Sequence, residues 1–304
     1  GGTSAASTTG TKSTLEAYTS TNNTWTKATP TEATSGTADV TVNSTEAQTW
    51  EGFGGAFNDM GWDFLTSDEM KSTAVKYLFG AFPDGAHFTW GRIPMGASDY
   101  GTKRYTLDDP TANDPEPPAA RPSGDTSLAK FTITNGHDDK YLIPYIKASK
   151  EAAAAAGSSI RFWASPWTPP IWMKTGYMTN SGGTGGGNAK RPSYFDGGSM
   201  SSNTANLQAY AQYFVKFVEA YKGQGIDIEV VSPQNEPGYP QDYPSCSWSA
   251  QVYTDYIANY MGPTFESRLP NVGVWLGTMS NPNSTQIVSS VMGNQTARGY
   301  VRGI

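Results

Sequence analysis

From Trp50 onward the chain repeats one pattern: a short apolar run, a polar loop, an amphipathic stretch, then the next apolar run. The runs fall at residues 50–57, 88–95, 160–167, 228–233, 272–279 and 300–304. A strand with one solvated face alternates apolar and polar residues; these runs do not, so they read as strands buried on both faces, as in a parallel sheet. The stretches between them carry helical spacing. Thr66 and Glu69 predict a capping box ahead of Met70, Ala74, Tyr77 and Leu78, with Gly80 as the stop. Leu207, Tyr210, Ala211, Phe214, Phe217, Val218 and Tyr221 share one helical face, with Gly223 as the end. Ser249 is expected to open a helix through Tyr253, Tyr256, Ile257 and Tyr260 that Gly262 closes, and the alanines at 152–156 close one begun near Lys140.

Strand and helix in alternation place the chain in the α/β class. An open doubly wound sheet and a closed barrel both fit that rhythm. Polar residues of a functional kind stand at the carboxyl end of nearly every strand: Asp59, Arg92 with Asp99, Trp167, Asn235 with Glu236, and Thr278 with Asn281. Convergence of many strands on one rim is what a barrel site needs, whereas a doubly wound sheet gathers its ligand at one switch point. The expected fold is therefore a (β/α)8 TIM barrel over residues 48–304, of which strands 1 to 6 are present. Residues 15–47 mix Thr, Val and aromatics with Asn, Gly and Pro; short strands are expected at 15–18 and 37–42, as an accessory sheet ahead of the larger domain. Residues 1–14, of Gly, Ser, Thr and Ala, read as a flexible linker. The missing strands are expected on a second polypeptide or on sequence beyond these residues.

Composition narrows the function. Charged residues are 16% of the 304, the net charge is −6 and no Lys/Arg run occurs, which disfavours nucleic acid or an anionic membrane as partner. A weakly charged, hydroxyl-rich surface suits a secreted protein that meets neutral polymers, with the periplasm as the alternative. Cys246 is the single cysteine, and His87 and His137 are the only histidines, so a Cys/His zinc site is excluded and no cofactor or metal is expected. No apolar stretch approaches the roughly 18 residues of a membrane span. Gly52-Phe53-Gly54-Gly55-Ala56-Phe57 lacks the last glycine of a dinucleotide fingerprint, and no P-loop or nucleophile elbow is present. The glycine-rich stretch 182–187 reads as a loop that overhangs the site rather than a phosphate cradle.

Glu236 is the leading chemical candidate. It ends an apolar strand in Ser232-Pro233-Gln234-Asn235-Glu236-Pro237, and the following proline is expected to hold it in an extended conformation. A carboxyl half-buried on a barrel rim is disfavoured in its charged form, as a general acid requires. Asn235 can exchange hydrogen bonds with a sugar hydroxyl. Trp167, Tyr239 and Trp248, with Tyr100, Tyr177, Tyr194, Tyr243 and Trp172, supply flat surfaces on which sugar rings stack; Trp90 and Trp163 read as core. Arg92 needs a carboxylate partner, either a catalytic one or a structural ion pair. Asp99 is either a bidentate ligand for sugar hydroxyls or a turn former.

These residues resemble glycoside hydrolase family 30, which contains glucosylceramidases and β-1,6-glucanases. The resemblance rests on six segments. They are Glu51-Gly52-Phe53-Gly54-Gly55-Ala56-Phe57-Asn58-Asp59, Arg92-Ile93-Pro94-Met95-Gly96-Ala97-Ser98-Asp99-Tyr100, Ala164-Ser165-Pro166-Trp167-Thr168-Pro169-Pro170-Ile171-Trp172-Met173-Lys174, Pro233-Gln234-Asn235-Glu236-Pro237, Tyr243-Pro244-Ser245-Cys246-Ser247-Trp248 and Tyr300-Val301-Arg302-Gly303-Ile304. The resemblance implies a (β/α)8 barrel with a side sandwich built from both chain ends. It also implies retention by two glutamates, the acid/base after the fourth strand and the nucleophile after the seventh. Glu236 holds the first position; Asp99, Trp167 and Asn235 match sugar-contacting positions, and Arg92 matches the arginine beside the nucleophile. No residue here matches the nucleophile. A β-1,6-glucan or another β-glucoside is the expected substrate, with β-xylan, β-galactan or β-fucoside as alternatives. A non-catalytic carbohydrate-binding fragment is the competing class, and an aldolase-type barrel would have to use Lys174.

Overall fold

The computed structural model describes residues 16–22, 24–31, 36–37, 39–40, 43–109, 121–181, 191–280 and 285–304. They belong to two compact units, Gly1–Trp50 and Glu51–Ile304. In the first, β1 (Ala17–Thr21) and β2 (Thr24–Ala28) form an antiparallel hairpin, with Asn22 at φ 51 in its turn. The strand expected at 37–42 lies largely outside the described residues, and Asp39 and Val40 form a bend. The expected linker at 1–14, the stretch 182–187 and Asn281 also lie outside them.

The second unit is a six-stranded parallel sheet with helices between its strands. Its strands are β3 (Gly54–Ala56), β4 (Trp90–Pro94), β5 (Arg161–Ser165), β10 (Ile228–Val231), β11 (Gly273–Trp275) and β12 (Val301–Gly303). Each pairs with the next in chain order, so the spatial order is β12-β11-β10-β5-β4-β3. All six apolar runs contain one of these strands. Four short strands lie in the long excursion after β5: β6 (Lys174–Thr175) pairs with β9 (Ser199–Met200), and β7 (Met178–Ser181) with β8 (Arg191–Ser193).

The helices are α1 (Asp59–Asp63), α2 (Asp68–Phe79), α3 (Ile143–Ala155), α4 (Thr204–Gly223), α5 (Ala250–Tyr256), α6 (Gly262–Arg268), α7 (Thr285–Gly293) and α8 (Gln295–Tyr300). Their apolar faces and the sheet build one core, in which Tyr210, Tyr213, Phe214, Phe217 and Tyr221 of α4 are fully buried. Two expected boundaries move. The cap of α2 is Ser67, whose hydroxyl accepts from the Met70 amide at 3.2 Å, one residue after Thr66. Gly262 does not end its helix. The chain widens into a π turn over Ile257–Met261, which accommodates Pro263 and its missing N–H, and continues to Arg268. Glycine is needed at 262 for close approach instead: a Cβ there would lie 2.1 Å from the Tyr300 ring. Gly54 has the same reason, since its Cβ would meet the Trp90 carbonyl oxygen at 2.0 Å.

Candidate active site

Glu236 stands where the chain leaves β10 and is stretched between the two neighbouring strands. The Asn235 amide donates to the Pro166 carbonyl at 2.7 Å, beyond β5; the Glu236 amide donates to the Thr278 carbonyl at 3.0 Å, beyond β11. Facing opposite neighbours at successive residues forces a reversal, and Glu236 takes φ 47, the left-handed region. The expected extended conformation is thus corrected: the preference imposed by Pro237 is overridden by two hydrogen bonds and by the Tyr239 amide, which donates to the Glu236 carbonyl at 3.0 Å. A side chain with a Cβ holds this conformation at a cost of about 1 kcal/mol or more, and such strain gathers at functional positions.

The half-buried carboxyl of Glu236 accepts at Oε2 from the Tyr243 phenol, 3.3 Å away. Burial first, then the charges of Glu236 and Asp99, push the Tyr243 phenol above its ordinary range, so it remains a proton donor. Asp99, half-buried in the loop after β4, has its carboxyl raised by burial, against hydrogen bonds from its own and the Tyr100 amide and the charge of Arg92.

Arg92 joins these groups. Its Nε and Nη2 donate to Ser165 Oγ at 3.0 and 2.7 Å, and Nη2 also donates to Asn235 Oδ1 at 2.6 Å. The guanidinium lies 4.3 Å from the Trp167 ring and 4.9 Å from the Trp163 ring. The expected carboxylate partner is absent among the described residues: every hydrogen bond that Arg92 makes there goes to a neutral oxygen, and Asp99 and Glu236 act only through their fields. Burial accordingly lowers its ordinary value to about 10.

The structure joins Asn235, Arg92 and Trp167 directly, and couples Glu236 and Asp99 to Arg92 electrostatically. Trp167 is buried, with one face against the guanidinium, so it is the wall that holds Arg92 rather than an open stacking platform. Tyr239, 49% exposed, keeps a free ring. Trp248 is corrected: it packs behind the rim against Tyr210, Tyr253 and Tyr256, with centroids 5.4 to 6.0 Å away, and its indole N–H donates to Gln234 Oε1 at 3.3 Å. Gln234 is the hidden pin of the site. Its side-chain amide donates to the carbonyls of Trp167 at 2.5 Å and Asn235 at 2.9 Å, which fixes the two loops relative to each other. Nothing in the sequence marks Gln234, and Tyr243, expected as a stacking surface, instead offers its hydroxyl to Glu236.

Arg92 also lines a cleft of about 420 Å³, together with Gly54, Gly55, Ala56, Trp90, Gly91, Trp163 and Trp275. Trp90 and Trp163, expected as core, are half-buried here, each 5.7 Å from Trp275. Lys174 does not serve a Schiff base at the rim: it is 3% exposed and enclosed by acceptors. Among the described residues no group of His, Cys, Asp or Glu is arranged to hold a metal, and no helix is long and apolar enough to cross a membrane.

Residues 50–304 match the family described as "Glycosyl hydrolase family 30 TIM-barrel domain". A Caenorhabditis elegans protein assigned as glucosylceramidase 4 is 32% identical over 276 residues, 87% of this chain and 47% of its own. The endo-1,6-β-D-glucanase neg1 of Aspergillus fumigatus is 31% identical over 248 residues, 78% of this chain and 46% of its own. Among solved structures, the endo-β1,6-glucanase BT3312 superposes with a TM-score of 0.66 at 24% identity, over 86% of this chain and 53% of that one. The chain spans about half the length of the curated relatives it matches.

Proposed function

This chain belongs to glycosyl hydrolase family 30, and from that premise we propose that it carries the acid/base half of a retaining β-glycosidase site, with Glu236 as the acid/base. The observation that carries the reading is the strained reversal at Glu236. It turns a carboxyl towards the tyrosine and amide groups of the rim instead of letting the strand run on. In the first step Glu236 protonates the glycosidic oxygen while a second carboxylate, outside these 304 residues, attacks the anomeric carbon. In the second step Glu236 takes a proton from water, which releases the sugar with its configuration retained. Asn235 commits its amide oxygen to Arg92, which leaves its N–H groups for a sugar hydroxyl. Arg92 sets a positive field at Glu236 and Asp99.

The substrate we propose is a neutral β-glucan, foremost one with β-1,6 linkages. The support is the likeness to the Aspergillus glucanase and a rim that offers phenols and amides rather than a cluster of cations. The same weakly charged, hydroxyl-rich composition supports action outside the cell.

Glu236→Gln in the whole active protein tests the assignment. Turnover of a β-glucoside with a poor leaving group should fall by about 10² to 10⁴, while an activated aryl β-glucoside still forms its glycosyl-enzyme. Azide should then restore turnover and give the β-glycosyl azide. Undiminished hydrolysis of the poor substrate by this variant would remove Glu236 from the mechanism.

A further inference from the structure

Among the buried charges that the mechanism leaves unused, Lys174 has unusual surroundings. Lys174 opens β6 and is 3% exposed. An ammonium has three hydrogens, and each finds a neutral acceptor on a different segment: Thr168 Oγ1 at 3.0 Å, the Phe195 carbonyl at 2.8 Å and the Ser245 carbonyl at 2.8 Å. No carboxylate among the described residues touches it. Of the charged and titratable groups that face it, Asp196 is gripped by Arg104 at 2.6 to 3.1 Å, and Asp109 accepts from the Ile171 amide at 2.9 Å. Arg121 repels it and donates to the Lys174 carbonyl at 2.6 Å. Burial pushes the Cys246 thiol up to about 12, so it stays neutral and offers no counter-charge.

The three segments lead to the site. Thr168 follows Trp167, the wall against which the Arg92 guanidinium lies. Ser245 closes the turn that bears Tyr243: its hydroxyl lies 2.9 Å from the Tyr243 carbonyl and accepts from the amides of Gln241 and Gly197 at 3.0 and 2.9 Å. Tyr243 in turn bonds Glu236. We propose that Lys174 is a positioning residue: its ammonium clamps the Trp167 loop to the Tyr243 turn and so sets how Arg92 and Tyr243 meet the acid/base. This rests on the reading of Glu236 above.

The clamp is sensitive to alkali. Burial brings the Lys174 ammonium down to about 8. The neutral amine keeps two hydrogens for three acceptors, so one loop is released as pH rises through that value. Stability responds with the opposite sign. Below pH 8 the folded protein holds a buried charge; from about 8 to the ordinary lysine range only the unfolded chain binds that proton, so this group's contribution to stability rises with pH. A brace that served stability alone would not lose function over the interval in which it gains stability.

The test is the pH profile of kcat for the whole active protein and its Lys174→Arg and Lys174→Met variants. The native profile should fall above about pH 8. Lys174→Arg, which keeps its charge, should carry that limb at least one unit higher. Lys174→Met should lose about tenfold to a hundredfold in kcat, with less change in KM, and lack the limb. The native protein should also gain thermal stability relative to Lys174→Met between pH 8 and 10. An unchanged limb in both variants, or a pH-independent difference in stability, overturns the proposal. If the variants do not fold, amide exchange in the native protein decides: residues 241–246, corrected for intrinsic base catalysis, should lose protection above pH 8, and constant protection overturns the clamp. Failure of Glu236 itself would show as turnover by Glu236→Gln with this exchange limb intact, which separates the two outcomes.

Discussion

Arg92 and Arg161 sit on adjacent strands, β4 and β5, and at different heights of the same sheet, where Arg161 faces Trp90 and Arg92 faces Trp163 across the ladder. Both guanidiniums lie over an indole, Arg161 4.2 Å from Trp90 and Arg92 4.3 Å from Trp167. Their company is otherwise opposite. Arg161, at the amino end of its strand and 40% exposed, holds Glu51 at 2.6 Å and Glu229 at 2.8 Å. Arg92, nearer the rim, bonds only neutral oxygens. Lys174 repeats the rim's pattern. So does Asp108, which is 1% exposed, with Oδ2 on the Trp172 indole at 2.9 Å and Oδ1 without a hydrogen-bond partner among the described residues. The buried pairs Arg104–Asp196 and His137–Asp59 are exceptions among the described residues. At the base Arg161 is paired with two carboxylates, while Arg92, Lys174 and Asp108 rest on neutral partners nearer the carboxyl ends of the strands, the end at which barrels of this kind do their chemistry.

The largest effect that would break this contrast is at Arg92. Arg92→Met should lower kcat/KM by about 10²-fold, roughly 2.7 kcal/mol of transition-state stabilisation. Its melting temperature should hold or rise, because a desolvated cation is removed. Kinetics and calorimetry on one preparation check both halves; a large loss of stability with activity kept would make Arg92 a structural ion like any other.

The next effect belongs to Asp108 and is on stability. Burial raises its carboxyl from 3.8 to about 7. The folded state then binds a proton that the unfolded chain has released between those values, so this group's contribution to stability declines as pH rises through that window. Asp108→Asn keeps an acceptor for Trp172 and should gain at most about 4 kcal/mol above pH 7, with almost no gain at pH 4. Denaturant titrations at both pH values measure it; an equal gain at each would mean that charge is not the cause.

The smallest is the control at the other end. Arg161→Met should cost no more than about 1 kcal/mol, since its ion pairs are half-exposed, and should leave kcat within about twofold. A collapse of activity there would end the division between rim and base.

The sheet was legible in the sequence because strands buried on both faces leave uninterrupted apolar runs, which survive without any knowledge of their neighbours. What needed the fold was whatever depends on two segments at once. Glu236 could be placed at a strand end, but its backbone conformation is set by Pro166 and Thr278, far away along the chain. Trp248 looked like a sugar platform because its loop is near the rim, yet the tyrosines of α4 and α5 draw it inward. Gly262 read as a stop because a glycine's usual reason is conformational, while here it is the Tyr300 ring. Lys174 reads from the sequence only as the lysine an aldolase-type barrel would have to use, and nothing local marks its acceptors.

The order of the sheet has a further meaning for how the protein is made. Each barrel strand pairs with the one that precedes it in the chain, without exception from β3 to β12. A ribosome releases the chain in that same order, so every new strand finds its partner already present, and no apolar run has to wait exposed for a distant mate. The register can be laid down like courses of brick, each on the last. The hazard moves to the two edges, β3 and β12, whose peptide groups stay open until the ring is closed. The leading edge is kept to three residues, Gly54, Gly55 and Ala56, too short a ladder to hold a stranger.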